Sequence, residues 1–379
     1  MMSVHSSRAT LFLALRAALV AVTVLVTLFA LLTLGGYDAS RALAALWNGS
    51  LGSGYAFWSG TLVRAVPLIL AGVAVSLAFT GGILNIGAEG QLLAGGAAAA
   101  AAGLALGGRS GGGVDGGAGG AALAVVGALA AGALAGAAWA GIAALLRERF
   151  GVLEVISTIM LNFVALYGVG YLVRGPLQEP LRIYPQSSTL PAVARLPVLV
   201  PGTRLHWGFA LGVVIAVGSW WVLRSMAAGF RVRAAGASPS AAASAGRIDV
   251  PRTARNVFLV SGALAGLAGA VEVTGVTYAL YENLSPGYGY TAIAVALLAR
   301  LNPAAVLASA LLFGALDAGA AAMQRDAGVP ASVVVVTQAV VILMVLAAER
   351  WWHLAGTQRS FVREGPRAGL PNATRTPGM

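Results

Sequence analysis

The chain has 379 residues, 58% hydrophobic and only 10% charged, with a mean hydropathy of +0.83. A soluble domain carries about 25% charged residues, so the composition argues against a water-soluble enzyme. All 24 strongly basic side chains are arginines and neither lysine nor cysteine occurs, which removes a phosphate-binding P-loop lysine, Schiff-base chemistry, disulfides and thiolate sites.

The formal charge of +11 comes from arginines set between apolar runs, the signature of membrane topology and not of nucleic-acid binding. A spanning helix needs about 20 mostly apolar residues. In chain order the runs 17–37, 65–88, 90–108, 116–146, 155–173, 205–223, 256–271, 283–299, 301–316 and 327–348 predict an all-α polytopic membrane protein of about ten transmembrane helices. The first run follows Arg8 and Arg16 and lacks a convincing small-residue cleavage site, so it reads as a retained anchor. With residues 1–16 and the tail 351–379 both cytoplasmic, 16 arginines lie inside and 8 outside, four of the latter in one long external loop. The positive-inside rule is met by this arrangement, N-in and C-in.

Three connections interrupt the transmembrane region 17–350. Residues 107–120 contain nine glycines and are expected to form a flexible outer loop. Residues 174–204 hold six prolines, too many for a helix interior, which predicts an ordered or semi-extended external segment. Residues 224–255 form the long inner loop. The polar tail, with Pro366, Pro371 and Pro377, is expected to be disordered.

Polar residues inside the apolar runs carry the functional signal. Asn85-Ile-Gly-Ala-Glu-Gly-Gln91 places Asn85, Glu89 and Gln91 in a glycine-flanked break. A charge at the bilayer centre costs about 2.5–3.5 kcal/mol on insertion scales, so Glu89 faces protein or water or lies near an interface. A tight inner turn and a pathway-lining role both suit this segment. Ser285-Pro-Gly-Tyr-Gly-Tyr290 is a second break at the corresponding place in the second half. Five spans per half make the halves inverted, and paired Gly/Pro breaks in inverted halves point to a translocation path. Glu272, Asp317 and Asn162 are further polar groups within predicted spans; each suits either a pathway or a structural hydrogen bond, and Asn162 suits the structural role better. Tyr288 and Tyr290 suit stacking on a planar ligand as well as interface anchoring.

In the inner loop, Ser238-Pro239 reads as an N-cap followed by proline at the first helical position, and Gly246 closes the short small-residue helix around Ala242. Such a helix suits a groove on a partner, or alternatively the membrane surface. No HExxH, intramembrane aspartate pair or Ser–His pair competes, and the histidines (His5, His206, His353) sit at predicted ends.

The stretches Leu84–Leu93, Phe150–Asn162, Tyr171–Pro176 and Leu284–Tyr290, with the inner loop Gly229–Gly246, resemble the permease subunits of bacterial nucleoside and simple-sugar ABC importers, of the ribose and branched-chain amino acid permease superfamily. The likeness runs in order over most of residues 58–348. One departure is Thr80-Gly-Gly-Ile, where relatives often carry a basic residue. The resemblance implies a multi-pass subunit of the bacterial plasma membrane with no cofactor of its own, ATP and Mg being held by a separate cytoplasmic ABC ATPase. It also implies a second homologous permease subunit and an extracytoplasmic substrate-binding lipoprotein. The family's coupling role falls on Arg231, Arg233, Gly236, Pro239 and Gly246, with Ala242 in the same helix. The expected function is nucleoside uptake, with pathway candidates Asn85, Glu89, Gln91, Glu272, Tyr288 and Tyr290. The alternatives are a permease for ribose-type sugars or branched-chain amino acids, and an ion-coupled secondary transporter using Glu89, Glu272 and Asp317.

Overall fold

In the computed structural model the described residues are 22–110, 118–246, 248–333 and parts of 335–347. The expected cytoplasmic start 1–16, half of the glycine loop, Arg247, part of the last predicted span and the tail 351–379 lie outside them. The chain divides into two units, Ser40–Val334 and the stretches flanking it. In the flanking unit, helix α1 (Val22–Leu34) ends at a glycine pair, with Gly36 at φ +80° in the left-handed region that glycine enters at little cost.

The larger unit starts with α2 (Ala39–Ser50). A π-helical turn, Ala56–Thr61, runs straight into α3 (Leu62–Thr80). Then follow α4 (Ala88–Ser110), α5 (Ala118–Phe150) and α6 (Glu154–Arg174). After the proline-rich segment come α7 (Gly208–Ser225), the short helices α8 (Ala227–Ala237) and α9 (Pro239–Gly246), and α10 (Val250–Glu272), which continues into a second π-turn, Val273–Thr277. Two helices close the unit, α11 (Tyr288–Leu298) and α12 (Pro303–Ala327).

Local chemistry sets these boundaries. Asp249 accepts from Arg252 N (3.0 Å) ahead of Pro251, and Asn302 accepts from Ala304 N (3.1 Å) ahead of Pro303; each is a polar N-cap followed by proline near the first turn. Arg147 and Arg149 occupy the last turn of α5, where cations complement the helix dipole.

Among the described residues seven helices are long and apolar enough to cross a membrane: α3 and α10 with their π-turns, α4, α5, α6, α7 and α12. Of the expected span 17–37 the described part is helical over Val22–Leu34. One expected span is shorter here: 283–299 contracts to the 11-residue α11, which at 1.5 Å per residue reaches about 16 Å, half a bilayer core. Residues 224–255, expected as one loop with a short helix, are mostly helical, since α8 and α9 occupy the middle and α10 already starts at Val250. The glycine loop is also shorter than expected, because 107–110 belong to α4 and 118–120 to α5.

Helices α3 and α10 form the centre of the bundle, 89% and 72% buried over their apolar windows, against 22% for α5 and α7. Glycines allow this packing. At Gly136, Gly262 and Gly266 an added Cβ would strike the backbone of the facing helix across the α5–α10 contact, and at Gly95 of α4 it would strike Gly266. Lipid supplies no hydrophobic drive between helices, so close backbone approach is what holds α4, α5 and α10 together.

Candidate functional site

The break between α3 and α4 is held open by glycine and then tied down by amide groups. Gly82 has φ +77°, which stops α3 and turns the chain. Asn85 then uses its full bonding capacity. Its Nδ2 donates to Gln91 Oε1 (2.9 Å) and Ser261 Oγ (2.8 Å), and its Oδ1 accepts from Gly87 N and Gln91 Nε2, both at 3.0 Å. Ser261 of α10 in turn donates to Ala74 O of α3 at 2.7 Å. Asn85, Gln91 and Ser261 are all fully buried, so this knot joins α3, α4 and α10 through bonds internal to the protein.

Glu89 sits where two helices begin. It lies in the first turn of α4, and its Oε2 accepts from Gly289 N of α11 at 2.7 Å. The Ser285 hydroxyl also hydrogen-bonds Glu89 and accepts from Tyr288 N (2.9 Å). A carboxylate between two helix N-termini satisfies amides that have no partner within their own helices. Gly289 is required by the approach itself, since a Cβ there would overlap the backbone of Ala88 and Glu89. Asn162 of α6 performs the matching task for α4, accepting from Gly90 N (2.8 Å) and donating to Ile86 O (3.0 Å) and to Tyr290 OH (3.2 Å). The two sequence breaks thus meet in space, with Asn85, Glu89, Gln91 and Tyr290 in one network.

Glu272 and Tyr288 belong to a second cluster. Arg64 of α3 pairs with Asp317 of α12 at 2.5 Å, and Glu272, 5% exposed, feels the charges of Arg64, Asp317 and Arg204. Tyr288 lies within electrostatic reach of Glu272, Asp317, Arg64 and Glu89 and so stands between the two clusters. Sequence reasoning placed Arg64 outside the membrane, one residue before a span. The π-turn extends the helix upstream to Ala56 and brings Arg64 inside it. The uninterrupted apolar character of Ala56–Val63 apart from Ser59, Gly60 and Thr61 was the only signal that could have revealed this.

The segment expected as the inner loop folds into α8 and α9. A Cβ at Gly236 would collide with Thr80 O and the Gly81–Gly82 backbone, so the end of α8 rests directly on the turn that leads to Asn85. This contact gives the Thr80-Gly-Gly departure a structural reason. Arg231, Arg233 and Pro239 are exposed, and Gly246 is the last residue of α9. Ala242, by contrast, is turned inward at 7% exposure; the outward side of α9 is Ser240, Ala241, Ala243 and Ser244.

On the far side, the proline-rich segment pairs with the chain following α10. Leu196 N donates to Thr274 O (2.9 Å), Leu190 N to Tyr278 O (2.7 Å) and Ser187 N to Leu280 O (2.9 Å). His206, just ahead of α7, is buried at 1% and accepts from Gly208 N through Nδ1 (3.2 Å). Burial, helped by the Arg204 charge, pushes its pKa down to about 4, so it is neutral at pH 7. Among the described residues no group of three metal-ligating side chains could hold an ion.

Residues 57–348 match the family described as the permease component of the branched-chain amino acid transport system. The chain is 36% identical over 325 residues to the guanosine ABC transporter permease NupP of Bacillus subtilis, covering 84% of this chain and 88% of that protein. It is 37% identical over 298 residues to the glucose ABC transporter permease TsgB13 of Haloferax volcanii, covering 76% and 75%. To the nucleoside permease NupB of Lactococcus lactis it is 29% identical over 320 residues, covering 82% and 84%. No solved structure matches. A multi-pass membrane chain matched over residues 57–348, from the π-turn ahead of α3 to beyond α12, is a transport subunit and not an enzyme: it belongs to the branched-chain amino acid transport system permease family of ABC importers.

Proposed function

We propose that this chain is one of two permease subunits in an importer of nucleosides, driven by a separate cytoplasmic ATPase and supplied by an extracytoplasmic binding lipoprotein. The observation that carries the cargo is the 36% identity to a guanosine permease along 84% of the chain. A glucose permease matches at 37%, so hexose is the second reading. The heterologous pairing is supported by Bacillus subtilis, where a second guanosine permease, NupQ, also resembles this chain. The topology that suits these roles is ten spans in two inverted halves with both termini cytoplasmic. In it the α4 and α11 helix starts are counterparts.

In this reading ATP-driven closure of the partner ATPase pushes on α8 and α9. Arg231, Arg233 and the outward side of α9, ending at Gly246, meet the partner. Gly236 passes the displacement to the Gly81–Gly82 turn and so to the Asn85–Gln91 knot. Glu89 and Tyr290 hold the α4–α11 junction about which the halves rock, while Tyr288, Glu272 and the Arg64–Asp317 pair face the solute path.

The test is uptake of labelled guanosine by proteoliposomes holding the assembled complex, with ATP inside and glucose as competitor. ATP-dependent uptake unaffected by a hundredfold excess of glucose is expected; uptake driven by an ion gradient without ATP, or abolished by glucose, sinks the nucleoside reading. Ser240→Trp and Ala243→Trp, both on the exposed side of α9, should each cut transport at least tenfold with membrane insertion unchanged. Wild-type transport in both variants removes the coupling role from this surface.

A further inference from the structure

Helix α3 is the most enclosed in the molecule, and from Thr61 to Ser76 every residue on it is buried except one, Arg64. Its side chain is 36% exposed, and that of its partner Asp317 is 28% exposed. Arg64 stands three residues inside the start of this run, so a water-sized probe reaches the pair through a crevice at this end of the helix. An arginine–aspartate pair facing lipid would be expensive, whereas ionisable groups facing a water-filled cavity mark solute paths.

The crevice is rich in acceptors. Arg64 bonds Asp317 through Oδ2 alone, leaving Oδ1 open. Glu272, almost fully buried, receives no side-chain hydrogen bond from the groups around it. The guanidiniums of Arg64 and Arg204 balance the two carboxylates, Asp317 and Glu272, so the cluster has no net charge to draw in a phosphate or a carboxylate and suits a neutral hydrogen-bonding solute. An ionised carboxylate has two acceptor oxygens and can take both protons of two adjacent hydroxyls. A nucleoside and a hexose, the cargoes named for the relatives, have one such group in common, the vicinal diol of a neutral sugar ring.

We propose that Arg64, Asp317 and Glu272 form a recognition site for the vicinal hydroxyls of a neutral sugar ring passing through the permease, with Asp317 accepting from the diol and Arg64 donating to its oxygens. This rests on the import reading above. It makes the permease itself selective, beyond whatever the external binding protein chooses.

The experiment compares uptake of guanosine with 2′,3′-dideoxyguanosine, and of glucose with 2,3-dideoxyglucose, by the assembled complex carrying wild-type permease or Asp317→Asn. The binding protein is common to both, so its own preference cancels when the diol-to-dideoxy uptake ratios are divided. Asp317→Asn should lower that ratio at least tenfold for whichever cargo the wild type carries. A ratio unchanged within twofold overturns the proposal, and wild-type uptake of neither cargo overturns the reading beneath it, and the proposal with it. The exchange Arg64→Asp with Asp317→Arg keeps an ion pair between α3 and α12. Its ratio should stay at least fivefold low although the complex assembles in normal amount; full restoration would reduce the pair to a helix clamp.

Discussion

Two polar clusters lie within the same bundle and are built on opposite principles. Around Asn85 each strong donor and acceptor meets another from the protein: four bonds on Asn85, three on Asn162, and a backbone amide on Glu89. Around Arg64 the charges outnumber the bonds: among the described residues one hydrogen bond joins Arg64 to Asp317, Glu272 takes none from a side chain, and the Arg64–Asp317 pair is partly open to solvent. A saturated buried network fixes one geometry, because any displacement leaves polar groups bare in a low-dielectric medium. An unsaturated one has capacity left for a visitor. The first cluster therefore holds the helices in register, and the second is the one with room for the solute in the proposed reading.

The largest effect should come from Gly289→Val, which drives a branched side chain into the Ala88–Glu89 backbone where α11 meets α4. Loss of folded permease from the membrane is expected, and a wild-type yield in a fluorescence size-exclusion profile would show that the helix starts are not packed as described. Next, Asn85→Leu leaves the Gln91 side-chain amide and the Gly87 amide without partners and removes one of the two bonds on Ser261. At about 1–3 kcal/mol for each bare buried group, a loss of roughly 3 kcal/mol is expected, read as a lowered thermal midpoint in detergent. An unchanged midpoint would remove the contrast between the clusters. Glu272→Gln sharpens it from the other side, since removing an unbonded buried charge should leave the midpoint level or slightly raised while uptake falls several-fold. A fall in stability equal to that of Asn85→Leu would place Glu272 in the structural class.

The smallest expected effect is a pH dependence of the proline-rich segment. The folded pKa of His206, about 4, lies below the unfolded value of about 6.5. The unfolded state then binds the extra proton between these values, so the stability His206 confers is complete above about pH 6.5 and is lost as pH falls toward 4. Protonation also removes the Nδ1 acceptor for Gly208 N. Amide exchange in residues 187–206 should accelerate over that window in wild type and not in His206→Gln; identical profiles would leave the loosening to other groups.

Much of this was written in the chain and some was not. Apolar runs, proline-plus-cap signals at Ser238-Pro239 and the breaks at 85–91 and 285–290 locate helices and interruptions because each is a local property of backbone and side chain. The position of Arg64 escaped, since a rule that ends a span at a charge cannot anticipate a π-turn carrying the helix nine residues further out. Ala242 escaped as well, because an eight-residue helix of alanine and serine has no amphipathic contrast to say which side faces in.

Composition alone settled that the protein lives in a bilayer without lysine or cysteine chemistry, since transfer of apolar surface depends on residue content and not on arrangement. Local sequence went further and settled where helices start and stop. Which polar residue is locked and which is left open was decided only in three dimensions. Asn85 and Glu272 are both polar groups among apolar neighbours along the chain, and the difference between them is whether Ser261, Gln91 and Gly87 close around the side chain or only distant charges do.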